Sequence, residues 1–218
     1  MKTLKIKNST DKINIGKIVC VGRNYAKHAE ELKNKVPSEP LLFIKPDSAV
    51  LQKRNPFFIP EFTKDVHYEA ELIIKIKKAG KHIQEKYARK YYDEVGLGID
   101  FTARDIQEIC KKEGLPWEKA KSFDGSCVVG SFINFESLAD KNSIHFRLEK
   151  NGVKVQEGNS TDMIFSINHL IAYISSYFTL KIGDLIFTGT PAGVGPVKVG
   201  DQLTGFLEEK QNFKVNIK

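Results

Sequence analysis

Residues 67–77 read HYEAELIIKIK. Tyr68, Ala70, Leu72, Ile74 and Ile76 recur at every second position. A period of two puts them on one face of a β-strand, turned towards a core. Glu69 and Glu71 fall on the other face, two residues apart, so both carboxylates project to the same side. Two carboxylates so placed can share a hard divalent cation, which prefers oxygen ligands. The same face carries His67, Lys75 and Lys77. A solvated strand face with nearby lysines therefore accounts for the pattern as well.

Other short β-type runs lie on both sides of this one. They occupy 17–21 (KIVCV, ended by Gly22), 41–44, 95–99, 127–133, 184–188 and the stretch from 202 to the end. Residues 144–150 and 153–157 flank Asn151-Gly152, a strong two-residue hairpin signal. Helical patterns are fewer. Residues 24–33 form one candidate, with Asn24 as a possible cap. A second spans 102–112, capped by Thr102 and stopped by Gly114-Leu115-Pro116. A third spans 163–178, with Ser160, Thr161 and Asp162 as cap candidates. Strands outnumber helices and do not alternate with them. The expected class is α+β and β-rich, a mixed or antiparallel sheet in a sandwich or roll with a few short helices.

The chain has 218 residues, enough for one domain with a sizeable core. No apolar run approaches the roughly 20 residues that span a bilayer, and the N-terminus lacks the apolar core of a signal peptide. Cys20, Cys110 and Cys127 show no CxxC spacing and read as reduced thiols, so the expected compartment is the cytoplasm. The net charge of +7 raises the question of nucleic acid. The lysines are dispersed among acids, and no basic stripe with interleaved aromatics appears, so neither nucleic acid nor membrane is expected as a partner.

Asp100 follows the uncharged run Val95-Gly96-Leu97-Gly98-Ile99. A carboxylate ending a buried strand needs a partner, because an unpaired buried charge is very costly. Arg104 is one option, and a metal shared with Glu69 and Glu71 is another. Three carboxylates leave about half of an octahedral shell for substrate and water. His28 and Glu31 sit three apart in a predicted helix and share a face. Such a pair can act as a general base, or be a plain exposed pair. Lys121, after Pro116 and before an apolar strand, can stabilise an enolate or simply be solvated. Thr190 lies in the turn TGTPAGVG (188–195), which can offer N–H groups and a hydroxyl to a carboxylate.

Seven stretches, in this order, resemble the fumarylacetoacetate hydrolase family in its short acylpyruvase or oxaloacetate decarboxylase-like branch. They are GRNYAKHAEEL (22–32), EPLLFIKP (39–46), VHYEAEL (66–72), LGIDFTARDIQ (97–107), KKEGLPWEKAKSFDGSC (111–127), QEGNSTDMIF (156–165) and GDLIFTGTPAGVGPV (183–197). The resemblance implies a catalytic domain over 16–218 with a short extension over 1–15, the family's β-rich roll, and a homodimer. It implies that Glu69, Glu71 and Asp100 ligate one Mg²⁺ or Mn²⁺. It makes His28, Glu31 and Lys121 catalytic, with His28 and Glu31 activating water from a lid. Arg23, Gln107 and Thr190 become substrate contacts. The implied reaction is cleavage of a C–C bond in a small 2-oxo acid, by acylpyruvate hydrolysis or oxaloacetate decarboxylation through a pyruvate enolate. Isomerisation or tautomerisation of an unsaturated 2-oxo diacid draws on the same enolate. A non-catalytic binding protein on the same fold is the alternative of another class.

Overall fold

The computed structural model describes residues 3–5, 12–31 and 35–218. The stretch that opened the sequence reading lies at the centre of the largest sheet. In order across that sheet run Ile133–Asn134, Tyr92–Asp100, Ala70–Ile76, Leu185–Phe187, Ile18–Gly22 and Leu41–Lys45, and Cys127–Val129 also pairs with Tyr92–Asp100. Every pairing is antiparallel except Leu185–Phe187 with Ile18–Gly22. A four-stranded antiparallel sheet orders Val153–Asn159, His145–Lys150, Gln202–Leu207 and Lys210–Asn216. A small third sheet joins Gly195–Pro196, Val66–Tyr68 and Thr102–Ala103. The result is the expected strand-rich roll with few short helices.

The alternation in 67–77 is real, but its second face is not solvent. Leu72, Ile74 and Ile76 enter the main core with Leu97, Phe146 and helix residues Leu170, Ile171 and Ile174. Ile73 joins a second apolar cluster with Ile18, Cys20, Leu185 and Phe187 on the opposite side. All of Ala70–Ile76 is buried, Lys75 included, where it pairs with Glu94. The solvated-face reading therefore fails. A central strand covered on both sides cannot leave a charged face in water.

Several element boundaries differ from the sequence expectation. The run 67–77 breaks at Glu69 into Val66–Tyr68 and Ala70–Ile76, because the Ala70 N–H turns to the buried Gln156 side chain at 2.9 Å. Residues 127–133 form two strands, Cys127–Val129 and Ile133–Asn134, not one. Thr102 is not a helix cap: Thr102–Ala103 is extended, and the helix is Arg104–Glu113, closed by Gly114 in the left-handed region. The third helix is Ile167–Tyr177, with Ser166 Oγ accepting from His169 N; Ser160–Asp162 is only a 3₁₀ turn. The first helix is Ala26–Glu31, and the end of the expected 24–33 segment lies outside the described residues. Asn151 (φ 54°) and Gly152 (φ 80°) make the expected hairpin turn.

Candidate active site

The break at Glu69 creates the site. Glu69 sits between two sheets, Glu71 is the second residue of Ala70–Ile76, and Asp100 is the last residue of the neighbouring strand. The pairing of Ala70 with Ile99 places these three buried carboxylates together, and an oxygen of each lies within 4.8 Å of the others. Basic side chains converge on two of them. Lys121, ending the short helix Glu118–Lys121, places Nζ 2.7 Å from Glu69 Oε2, 2.8 Å from Asp100 Oδ2 and 2.6 Å from Thr102 Oγ1. Arg104 donates to Glu69 Oε1 at 2.5 Å and to Gln107 Oε1 at 2.6 Å. The sequence reading allowed Arg104 to pair with Asp100; it pairs with Glu69 instead. Lys45 Nζ lies 2.8 Å from Asp100 Oδ1.

These charges divide the acids into two kinds. Burial opposes ionisation of Glu69, but Lys121 and Arg104 outweigh it and hold its pKa far below the carboxylate range. Glu71 has no ion-pair partner among the described residues; its Oε2 accepts the Gly189 N–H at 2.7 Å. Burial, then the charges of Asp100 and Glu69, push its pKa well above the usual value. Burial disfavours the charged form of Lys121, yet Asp100 and Glu69 win and raise its pKa, so it stays cationic.

The donor set fits a hard divalent cation. All three candidate ligands are oxygen donors. Asp100 Oδ1 is buried and receives no hydrogen bond, despite the nearby Lys45 ammonium. Glu71 is a third carboxylate whose ionised form needs positive charge that the adjacent side chains do not supply in full.

A cleft opens over the triad and is lined by Arg23, His28, Phe43, Arg104, Gln107, Lys111, Trp117, Lys121 and Thr190 together with the three acids. Eight of the nine residues expected from the sequence thus share one cleft. Glu31 is the ninth, and it sits aside. Its Oε2 is 3.5 Å from His28 Nδ1, and that nitrogen has no hydrogen-bond partner. Both Glu31 oxygens instead accept the Gly193 N–H, at 3.1 and 3.2 Å. The glutamate therefore ties the Ala26–Glu31 helix to the 188–195 turn. His28 itself is buried; burial lowers its pKa, with Glu69 and Glu31 only partly opposing.

The roles of three supporting residues escaped the sequence reading. Lys45 ends a strand with no solvent exposure and also donates to Ser126 Oγ and the Lys121 carbonyl. The argument that singled out Asp100, a charge ending an apolar run, applies to it equally. Asn24 is not a helix cap. Its amide donates to the carbonyls of Phe165 and Thr188 and its Oδ1 accepts from Phe165 N, joining the start of the Ala26–Glu31 helix to two distant loops. Gln156 donates to Thr190 Oγ1 and the Pro191 carbonyl, which fixes the turn against the Glu69 break. Nothing local marks these uses of Asn24 or Gln156, because their partners are 34 to 164 residues away.

Fold and site together define a β-rich roll with a buried acidic centre able to hold a divalent cation beneath a cationic cleft. Residues 17–218 match the family described as fumarylacetoacetate (FAA) hydrolase C-terminal, and the chain belongs to that family of enzymes. It is 47% identical over 191 residues to the oxaloacetate tautomerase YcgM of Escherichia coli K12, covering 87% of each chain. It is 48% identical over 185 residues to a mitochondrial oxaloacetate decarboxylase of Dictyostelium discoideum, covering 84% of this chain and 85% of that one. The crystal structure of fumarylpyruvate hydrolase from Pseudomonas aeruginosa, in complex with Mn²⁺ and pyruvate, superposes with a TM-score of 0.92 at 32% identity, over 99% of this chain and 95% of that one.

Proposed function

We propose that this protein is an oxaloacetate tautomerase that moves a proton between C3 and the 2-oxo oxygen. The observation that carries the reading is a cationic Lys121 held among three buried carboxylates, facing a cleft that also contains His28. The name of the E. coli relative supports the choice of substrate. Glu69, Glu71 and Asp100 would hold one Mg²⁺ or Mn²⁺ per chain. When bound, that cation supplies Lewis acidity that draws electrons from the 2-oxo group and stabilises negative charge on its oxygen. Lys121 adds a fixed ammonium where that charge develops. His28, kept neutral by burial, accepts the C3 proton, and Glu31 lies close enough to steady the resulting imidazolium. Return of a proton to the 2-oxo oxygen completes the enol. Arg23, Gln107 and Thr190 contact the substrate oxygens.

The second reading is cleavage of a C–C bond, by decarboxylation of oxaloacetate or hydrolysis of an acylpyruvate. The closeness of His28 to Glu31 favours it, since the pair can deprotonate water, and the names of the other two relatives agree. Isomerisation of an unsaturated 2-oxo diacid would use the same groups. A homodimer follows from family likeness alone. The cytoplasm is the proposed compartment on the strength of a sparse, odd set of three cysteines without CxxC spacing; relatives include mitochondrial proteins.

One assay separates these readings. Enol-to-keto conversion of oxaloacetate is followed by ultraviolet absorbance, and pyruvate release from oxaloacetate and from acetylpyruvate is measured in parallel. Tautomerisation faster than pyruvate release by at least tenfold is expected. Faster pyruvate release would favour cleavage, and no turnover of either substrate with Mg²⁺ or Mn²⁺ would favour the binding protein.

A further inference from the structure

The cleft holds more positive charge than its acids use. Arg104 is committed to Glu69 and Gln107, Lys121 to Glu69 and Asp100, and the buried Lys45 to Asp100. Two further cations line the same cleft: Arg23 and Lys111. Neither side chain takes part in any of the hydrogen bonds or ion pairs formed among the described residues. Lys111 is half-buried, and burial followed by repulsion from Arg104 and Arg23 lowers its pKa. Two like charges lining one cleft, neither bonded to an acid among the described residues, are unfavourable until an anion joins them.

Helix geometry sets Lys111 two turns along from Arg104, on the same wall of the cleft. Arg104, Gln107 and Lys111 lie at i, i+3 and i+7 of Arg104–Glu113 and share the face that lines the cleft. Lys111 therefore starts about 10 Å along the helix from Arg104, which holds Glu69. Arg23 approaches from the other wall on a backbone with φ 60°, a left-handed conformation that a non-glycine residue keeps only where its surroundings impose it. Phe43 and Trp117, with ring centroids 6.0 Å apart, line the cleft without adding charge.

We propose that Lys111, acting with Arg23, is the subsite for the far carboxylate of a 2-oxo dicarboxylate, and that it sets the preference for diacid over monoacid. This rests on the reading that the 2-oxo acid end is held at the triad. Ammonium and guanidinium groups each give the incoming carboxylate a charge-assisted hydrogen bond.

The test uses matched pairs of equal chain length on protein supplied with Mg²⁺: oxaloacetate against 2-oxobutyrate, and 2-oxoglutarate against 2-oxopentanoate. Binding is measured by calorimetry, alongside KM and kcat for oxaloacetate. Wild type is expected to prefer each diacid by about 10- to 100-fold. Lys111→Met, which keeps the aliphatic stem, is expected to erase most of that preference, leave monoacid binding unchanged and act on KM more than kcat. Lys111→Arg is expected to retain the preference. A diacid preference untouched by Lys111→Met overturns the proposal, as does equal loss for both members of a pair, or a wild-type protein without the preference. Whether oxaloacetate is turned over at all is read separately and bears only on the tautomerase assignment.

Discussion

Lys45 places an ammonium with no solvent exposure between Asp100, Ser126 and the carbonyl of Lys121. One side chain thus orients a candidate ligand and the backbone that carries Lys121. Removing one partner of a buried ion pair costs about 3–5 kcal/mol, because the other charge is left behind. Lys45→Met is expected to lower stability by that amount in urea unfolding, and Lys45→Met/Asp100→Asn to recover part of it. A single-variant loss under about 1 kcal/mol would contradict this placement. His28 gives a second prediction at this scale. Its pKa lies below the ordinary histidine value because burial disfavours the imidazolium. The neutral base is then present through neutral pH and is lost as pH falls through that lowered pKa. The acid limb of kcat/KM for tautomerisation should therefore lie below the usual histidine range, and His28→Gln should lose both the limb and most of the rate. An acid limb unchanged in His28→Gln would remove His28 from proton transfer. Glu69 and Glu71 stood out in the sequence by sharing a strand face, Asp100 by ending an uncharged run, and His28 by its i,i+3 spacing from Glu31. The use of Glu31 was not: its hydrogen bonds go to Gly193, 162 residues away.

At the scale of elements, the 188–195 turn is as much part of the site as the strands. The Gly189 N–H holds Glu71, and its φ of 97° is one that only glycine adopts readily. A Cβ there would lie 2.7 Å from the Asn24 Cβ and 3.2 Å from the Val21 carbonyl. Gly189→Ala is expected to destabilise the protein by about 2 kcal/mol or more and to weaken Mn²⁺ binding in a calorimetric titration. Gly152→Ala, also at positive φ but with nothing within 4 Å of the new Cβ, is the control. It should cost about 1 kcal/mol without changing Mn²⁺ affinity. Equal effects on Mn²⁺ affinity would mean that Gly189 does not position Glu71. The hairpin at 151–152 was readable because its turn chemistry is local. The boundaries at Thr102 and at 160–166 were misread for the converse reason. Thr102 looks like a cap, but its hydroxyl receives Lys121, and the capping of the last helix falls to Ser166.

Over the whole molecule, three carboxylates are gathered in a core that only partly neutralises them, so a bound cation should stabilise the fold. A ligand at 100 times its Kd adds about 2.7 kcal/mol, or roughly 5–10 °C in Tm for a chain of this size. Chelator-treated protein is expected to melt lower by that amount and to recover with Mg²⁺ or Mn²⁺. In Glu71→Gln the gap should shrink to near zero. Identical melting with and without the cation would count against the acidic centre as a metal site. The sequence by itself determined the β-rich class, the hairpin at 151–152, and the residue types of the centre. These are local matters of period, turn chemistry and a charge placed where burial is expected. Tertiary structure alone decided that the Glu69–Glu71 face is interior, that Lys45, Arg104 and Lys121 share out the acids, and that among the described residues Arg23 and Lys111 are left without one. Burial of a face and pairing of charges depend on which distant segments pack together, and spacing along one strand carries no record of that.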